Sequence, residues 1–134
     1  MGQNQRYNLR FLAGCGLIIL SAVLILVGII ANALHQERHA ARYPGSRPIA
    51  THSQYRLPSH IRWDDAYLTD DSFTAVYNWY STTFNLGAEA RANGDCIELD
   101  GSDAALNIER RTIVFLCNTP KGRTIFVTRS TTLK

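Results

Sequence analysis

The chain has 134 residues, of which 46% are hydrophobic, and a formal net charge of +3. This length allows one small domain together with a membrane anchor. Residues 1–60 carry six arginines and one glutamate, whereas residues 61–134 carry eight basic and ten acidic residues. Because nucleic-acid binding needs a basic face on the folded part, the acidic balance of residues 61–134 excludes that class of protein.

An uncharged apolar run extends from Phe11 to Leu34. At about 1.5 Å per residue, a helix of this length is roughly 36 Å long and spans a hydrocarbon core of about 30 Å. The rest of the chain is too short to enclose a helix that is apolar on every side. We therefore predict a transmembrane helix over residues 11–34. Arginines flank both of its ends, so the shortness of the tail at residues 1–10 favours a cytoplasmic location for that tail.

Cleavage of this segment as a signal peptide is an alternative, because Ala31-Asn32-Ala33 has the A-x-A form that signal peptidase recognises. The apolar run before this site is longer than the roughly 7–15 residues usual in a signal peptide. The sequence therefore favours an uncleaved anchor in the inner membrane, and a domain secreted after cleavage at Ala33 remains the alternative.

Small residues recur every seven positions along the apolar run, at Gly14, Ser21 and Gly28. This spacing puts them on one face of a helix, where small residues let a second helix approach closely in lipid. We predict that this face packs against another helix, from a second copy or from a partner subunit. Chance recurrence in a run rich in small residues is the alternative interpretation.

The segment from residue 35 to residue 60 is polar, contains Pro44, Pro48 and Pro58, and lacks a sustained period. These features predict an extended tether between the membrane and a domain at residues 61–134. All four histidines fall within this tether, at His35, His39, His52 and His60. A shared metal would require the tether to fold back, so we predict no metal and no cofactor.

The domain begins with a predicted strand from Ile61 to Leu68. Thr69-Asp70-Asp71-Ser72 follows it with side chains typical of a helix start. Apolar residues then recur at helical spacing, which predicts one buried helix face ending before Gly87. That face consists of Phe73, Val76, Tyr77, Tyr80 and Phe84.

Residues 88–94 are predicted to be a loop, followed by a short strand from Cys96 to Leu99 that the segment Gly101–Asp103 interrupts. Residues 104–109 are ambiguous between a helical turn and a strand. Two β-rich segments, 111–117 and 123–131, are predicted to form a hairpin through Asn118–Gly122. The order β-α-β-β-β predicts an α+β domain with one helix packed on an antiparallel sheet.

Cys96 and Cys117 are the two cysteines outside the apolar run. A domain of this size has a thin core, and a domain outside the cytoplasm can hold a disulfide. We predict a Cys96–Cys117 disulfide, with the two Cα atoms within about 7 Å. Two free buried thiols are the alternative.

Trp79 lies off the buried face of the predicted helix and is a candidate contact surface. Packing beneath the loop at residues 88–94 is the alternative. We find no catalytic motif, and the pairs Asp64-Asp65 and Asp70-Asp71 fit strand and helix-cap positions. No catalytic or cofactor-binding residue is therefore predicted.

Tyr43-Pro44-Gly45, the strand that follows, and the segment Thr69–Tyr80 (TDDSFTAVYNWY) form one recognisable pattern. Over residues 43–131 the chain resembles small membrane-anchored proteins of unknown function from filamentous phototrophic bacteria and their relatives. The resemblance implies the fold and the membrane topology, and it implies no activity or functional residue.

These patterns together predict a single-pass membrane protein with an extracytoplasmic domain. We expect the domain to bind a partner, as an accessory subunit or scaffold, without catalytic activity. A small envelope hydrolase or metal-dependent enzyme is the alternative from another class; it would need polar groups that converge on a pocket.

Overall fold

The computed structural model describes residues 3–56, 59–87 and 91–134, with side chains from Gly16 onward except at positions 91 and 93. The chain divides into two compact units, Met1–Ala40 and Ala41–Lys134.

The first unit contains one helix, α1 (Gln3–Ala40). Its stretch Gly16–Ala40 is long and apolar enough to cross a membrane, and the large apolar side chains from Leu17 to Ile30 are exposed. The prediction of an apolar N-terminal helix is confirmed. The helix continues past the predicted end at Leu34, because neither proline nor glycine interrupts residues 35–40. Arg38 also places positive charge in the last turn, at the negative end of the helix dipole.

The second unit is a six-stranded sheet with one helix. The elements are β1 Arg47–Arg56, β2 His60–Thr69, α2 Phe73–Thr83, β3 Arg91–Asn93, β4 Cys96–Ala105, β5 Ile108–Thr119 and β6 Gly122–Leu133. All neighbouring strands are antiparallel, and their order across the sheet is β1-β2-β6-β5-β4-β3. The α+β prediction is confirmed, with two strands, β1 and β3, beyond the predicted four.

Helix α2 forms where the sequence predicts it, and it is capped at both ends. The Ser72 Oγ accepts a hydrogen bond from the backbone N–H of Ala75 at 3.2 Å, and the Phe84 N–H donates to the Tyr80 carbonyl at 3.1 Å. Its apolar side packs on the sheet. The buried core contains Tyr67, Val76, Tyr80, Leu86, Leu99, Val114, Leu116, Ile125 and Val127.

The prediction that residues 47–56 form a tether is wrong, because they form the edge strand β1. Strand β1 pairs with β2 from Arg47 to Arg56, and the register of the pairing shifts once, between Pro48 and Ala50. Almost every side chain of β1 is exposed. With neither face buried, the strand carries no alternation of apolar and polar residues, which is the signal that would have identified it.

Residues 41–46, also predicted to be tether, belong to the core. Ala41 and Tyr43 are buried, and the buried Tyr80 hydroxyl donates to the Ala41 carbonyl at 3.0 Å. The Tyr43 hydroxyl donates to the Asp71 carboxylate at 2.8 Å, and the Ser46 hydroxyl donates to the Tyr43 carbonyl at 2.7 Å. The folded domain therefore begins at residue 41, about twenty residues before the predicted boundary at residue 61.

Gly101 does not interrupt the sheet as predicted. Strand β4 runs through it from Cys96 to Ala105, and the ambiguous segment 104–109 contains the turn into β5. A Cβ atom on Gly101 would come within 2.4 Å of the Leu86 side chain, which packs over this position after α2 ends. The glycine therefore leaves room for the Leu86 side chain. In the sequence, a glycine that serves this purpose cannot be distinguished from one that marks a turn. The predicted loop at residues 88–94 is partly strand β3, and its residues 88–90 lie outside the described residues.

Candidate functional site

The predicted disulfide partners lie on neighbouring strands. Cys96 of β4 is directly opposite Cys117 of β5, with a Cα–Cα distance of 4.0 Å and sulfur atoms at bonding distance. The adjacent backbone also pairs, since the Asn118 N–H donates to the Asp95 carbonyl at 3.0 Å. The geometric requirement stated for this pair, Cα atoms within about 7 Å, is met.

Trp79, the candidate contact surface, is half-buried in the domain. Its ring centroid lies 4.7 Å from that of Tyr80, 5.4 Å from Tyr43 and 5.8 Å from Phe84, in edge-to-face arrangements. These contacts are a favourable aromatic geometry and connect α2 to the segment that precedes β1. The sequence could not show this, because Tyr43 lies within the predicted tether.

The carboxylates that could act as acid and base hold structural positions instead. Asp64 and Asp65 are neighbours in β2, so they lie on opposite faces of the sheet. Burial raises the pKa of Asp64, but hydrogen bonds from Arg62 and Thr128 outweigh it and hold that pKa below its ordinary value. Asp71 accepts the hydrogen bond of Tyr43, and Asp70 lies 3.8 Å from Arg47. The paired acid and base that a hydrolase needs are not assembled from these four residues.

The histidines are distributed over both units. The rings of His35 and His39, both on α1, meet edge-to-face with their centroids 4.3 Å apart. His52 lies on β1 beside Gln54, and His60 on β2 beside Thr132. Among the described residues, no group of three or more histidine, cysteine, aspartate or glutamate side chains is arranged to hold a metal ion.

A groove of about 460 Å³ lies where the C-terminal end of α2 meets the sheet. Arg129 lines it, with its guanidinium 5.5 Å from the centre of the Phe84 ring, and Arg110, Asp103 and the buried Thr112 line it as well. The groove thus mixes positive and negative charge. Its described lining residues include the hydroxyl groups of Ser102 and Thr112, and no histidine or cysteine.

The sheet face opposite α2, called the open face below, carries an apolar row across its centre. Ala66, Phe126 and Phe115 lie directly opposite one another on β2, β6 and β5. Phe126 is 46% exposed although it lies on a central strand. Two shallow grooves of about 350 and 420 Å³ flank this row, one lined by Phe126 and His52 and the other by Ile49 and Leu68.

Charged pairs border the apolar row of the open face. Arg62 pairs with Asp64 at 2.9 Å, Arg111 with Asp100 at 3.1 Å, and Lys134 with Glu109 at 2.9 Å. An apolar centre with a polar rim is the arrangement found at protein–protein contacts. The sequence does not reveal this surface, because the continuous apolar run in β5 also fits a strand with both faces covered.

A scan against models of known protein families finds no match for this chain, and a search of curated proteins finds none.

Proposed function

We propose that the chain is a single-pass membrane protein whose domain, Ala41–Lys134, lies outside the cytoplasm and binds a protein partner. In this proposal it serves as an accessory subunit in the cell envelope. The observation that carries the proposal is the exposed apolar helix Gly16–Ala40. The uncharged stretch of this helix, which ends at Leu34, is unfavourable in water and is long enough to match the thickness of a bilayer.

Two features support a location outside the cytoplasm. The paired cysteines, Cys96 and Cys117, suit an oxidising compartment, because cytosolic thiols are kept reduced. The short segment before the apolar run carries Arg6 and Arg10, as in proteins whose N-terminus stays inside.

The open face supports binding as the activity of the domain. Its apolar row is exposed at Phe126 and bordered by paired charges, as at protein–protein contacts. The hydrolase alternative has less support, because the carboxylates Asp64 and Asp71 already accept structural hydrogen bonds.

The secreted alternative also has less support. The peptide bond after Ala33 lies inside the continuous helix Gln3–Ala40. The apolar run before this bond is also longer than the roughly 7–15 residues usual in a signal peptide. We therefore favour an anchor that is retained.

The membrane helix is the second contact in this proposal. Gly14, Ser21 and Gly28 share one face of α1, and the Ser21 hydroxyl is satisfied by the Ile18 carbonyl at 2.8 Å. A helix from a second copy or a partner subunit could approach this face closely, because small side chains there leave the backbone accessible.

Orientation is tested with reporter enzymes fused after Lys134. A reporter active only outside the cytoplasm is expected to be active, and a reporter active only inside is expected to be silent. The same pair of reporters fused after Arg10 serves as the internal control. Activity of the inside reporter at Lys134 would contradict the proposed orientation.

Binding through the open face is tested by incorporating a photoreactive phenylalanine analogue at Phe126 of the full chain in intact membranes. We expect discrete adducts with one partner after illumination. Thr74, an exposed residue of α2 on the other side of the sheet, provides the matched control. Equal adducts from both positions, or none from position 126, would remove the open face from the proposal.

A further inference from the structure

The turn between β4 and β5 combines an unusual backbone conformation with an exposed apolar side chain. Leu106 and Asn107 are its central residues, since Ala105 and Ile108 form the last pair of the two strands. Leu106 has a φ of +58° and is completely exposed. Such a φ strains a bulky residue, and hairpin turns favour glycine, asparagine or aspartate there. The β3–β4 turn follows this preference with Gly94, at a φ of +61°.

The surroundings of Leu106 are apolar as well. Residues 104–108 carry no charge, the first four of them are exposed, and Leu133, which pairs with residue 108, is 55% exposed. We call residues 104–108 together with Leu133 the apolar tip. The Lys134 N–H donates to the Asn107 carbonyl at 2.8 Å, so the turn is held in place. Because glycine or asparagine would remove the strain, the leucine side chain itself needs an explanation.

We propose that the apolar tip contacts the bilayer that holds α1, with Leu106 inserted among the headgroups. The inference rests on the proposed membrane anchor and adds a second point of contact between the chain and lipid. A leucine that moves from water to the boundary of the acyl chains loses its unfavourable hydration. The domain is then held at two points, which fixes the end that faces the membrane.

The link between the apolar run and the domain is short. Residues 35–40 are helical, so only about 10 Å of helix separates Leu34 from Ala41. A strand of ten residues, such as β2, is about 33 Å long. Because the domain is much larger than its link, we expect part of its surface to lie at the level of the headgroups.

The two ends of the sheet differ in chemistry. At the end opposite the apolar tip, the connections between elements are polar and contain exposed acids, which anionic headgroups would repel. These acids are Asp70, Asp71 and Asp95. Beside the apolar tip each acid faces a cation, since Asp103 lies directly opposite Arg110. The Glu109 carboxylate likewise lies 2.9 Å from the Lys134 amine. The end that carries the apolar tip is therefore better suited to lipid.

The path of the chain into the domain favours the same end. Its first residue, Ala41, accepts the hydrogen bond of Tyr80, near the end of α2. Tyr43 then contacts Asp71, just before α2 begins. The chain next enters β1 at Arg47, at the end of the sheet opposite the apolar tip. It thus runs toward that opposite end, and its first residues lie on the side of the apolar tip.

A pocket of another protein and the tip of a second copy are the competing occupants. Five residues bury far less than the roughly 1,000 Å² typical of a stable protein interface, so either contact would be weak. Insertion into lipid needs no complementary shape. The anchor also keeps lipid at a high effective concentration beside the domain, so a small apolar surface is sufficient.

The test uses the purified full chain in vesicles of phosphatidylcholine and phosphatidylglycerol, at no more than one chain per vesicle. No other protein and no second copy is then within reach. In a Cys15→Ser background, an environment-sensitive fluorophore is attached at Asn107→Cys, beside the retained Leu106. Lipids that carry a spin label near the headgroup should quench it several-fold more strongly than the same fluorophore at Lys121→Cys. Lys121 is the matched control, because it is exposed in the β5–β6 turn at the opposite end.

Leu106→Gly separates lipid contact from a structural role. Glycine adopts a positive φ without strain, so this variant should keep or gain thermal stability. Quenching at position 107 should nevertheless fall to the level at position 121, and Leu106→Phe should retain it. Equal quenching at the two positions, or quenching at 107 that survives Leu106→Gly, would overturn the inference.

Flotation of the same vesicles at alkaline pH tests the anchor separately. A chain that floats with the vesicles but is not quenched at position 107 contradicts the inference and leaves the proposed anchor intact. A chain that does not float contradicts the anchor, and the inference with it.

Discussion

Replacing Tyr80 with alanine is expected to lower the free energy of unfolding of the domain by about 3–5 kcal/mol. The Tyr80 ring is completely buried between α2 and the sheet, and truncation would leave a cavity at the centre of the core. The loss is comparable with the whole stability of a small domain, roughly 5–15 kcal/mol. Denaturant unfolding of the full chain in detergent micelles, followed by the fluorescence of Trp63 and Trp79, measures it.

Tyr80→Phe separates the ring from the hydroxyl. It keeps the packing and removes the hydrogen bond to the Ala41 carbonyl, so we expect a smaller loss of about 1–3 kcal/mol from the acceptor left buried. Burial keeps the pKa of the Tyr80 hydroxyl above its ordinary value, so the group stays a neutral donor at physiological pH. Equal losses for the two variants would show that cavity formation does not dominate.

The second large effect is expected from removal of the Cys96–Cys117 bond. The two cysteines are 21 residues apart, and closing a loop of that length gives about 3 kcal/mol in the chain-entropy model. Replacing both cysteines with alanine should therefore lower the free energy of unfolding by about that amount. Mass spectrometry of a non-reduced tryptic digest should find the two peptides linked.

Reductant provides the control. It should destabilise the natural chain and a Cys15→Ser variant to the same extent, and it should leave the Cys96→Ala, Cys117→Ala variant unchanged. If both cysteines react with an alkylating agent before reduction, the bond is not formed in the protein. The domain would then depend on its core alone.

The elements next to the core were predictable from the sequence, because burial of one face gives the apolar residues a regular spacing along the chain. In α2 the spacing of Val76 and Tyr80 predicts the face that is buried, and Ser72 predicts the cap. The strands β2, β5 and β6 are rich in residues that favour strands and occupy the centre of the sheet. The cysteine pair was predictable because only two cysteines lie outside the apolar run.

Peripheral elements could not be predicted in the same way. Strand β1 is recognised only through its pairing with β2, and because almost all of its side chains are exposed, residues 47–56 carry no apolar period. The helical period alone places Trp79 off the buried face, because its contact with Tyr43 comes from a segment that has no period. The open face was hidden for a related reason, since the sequence of a strand does not reveal whether the second face of its sheet is covered.

The burial of residues 41–46 has a consequence for shedding of the domain from the membrane. Many anchored proteins are released by a protease that cuts a flexible linker between the anchor and the domain. Here Ala41, Tyr43 and Ser46 are all buried, and the chain then enters β1 directly. A cut within β1 would leave its C-terminal part held by pairing with β2, and would separate residues 41–46 from the domain they stabilise. Proteolytic release by a cut between residues 41 and 56 would therefore yield a domain that lacks part of its own core.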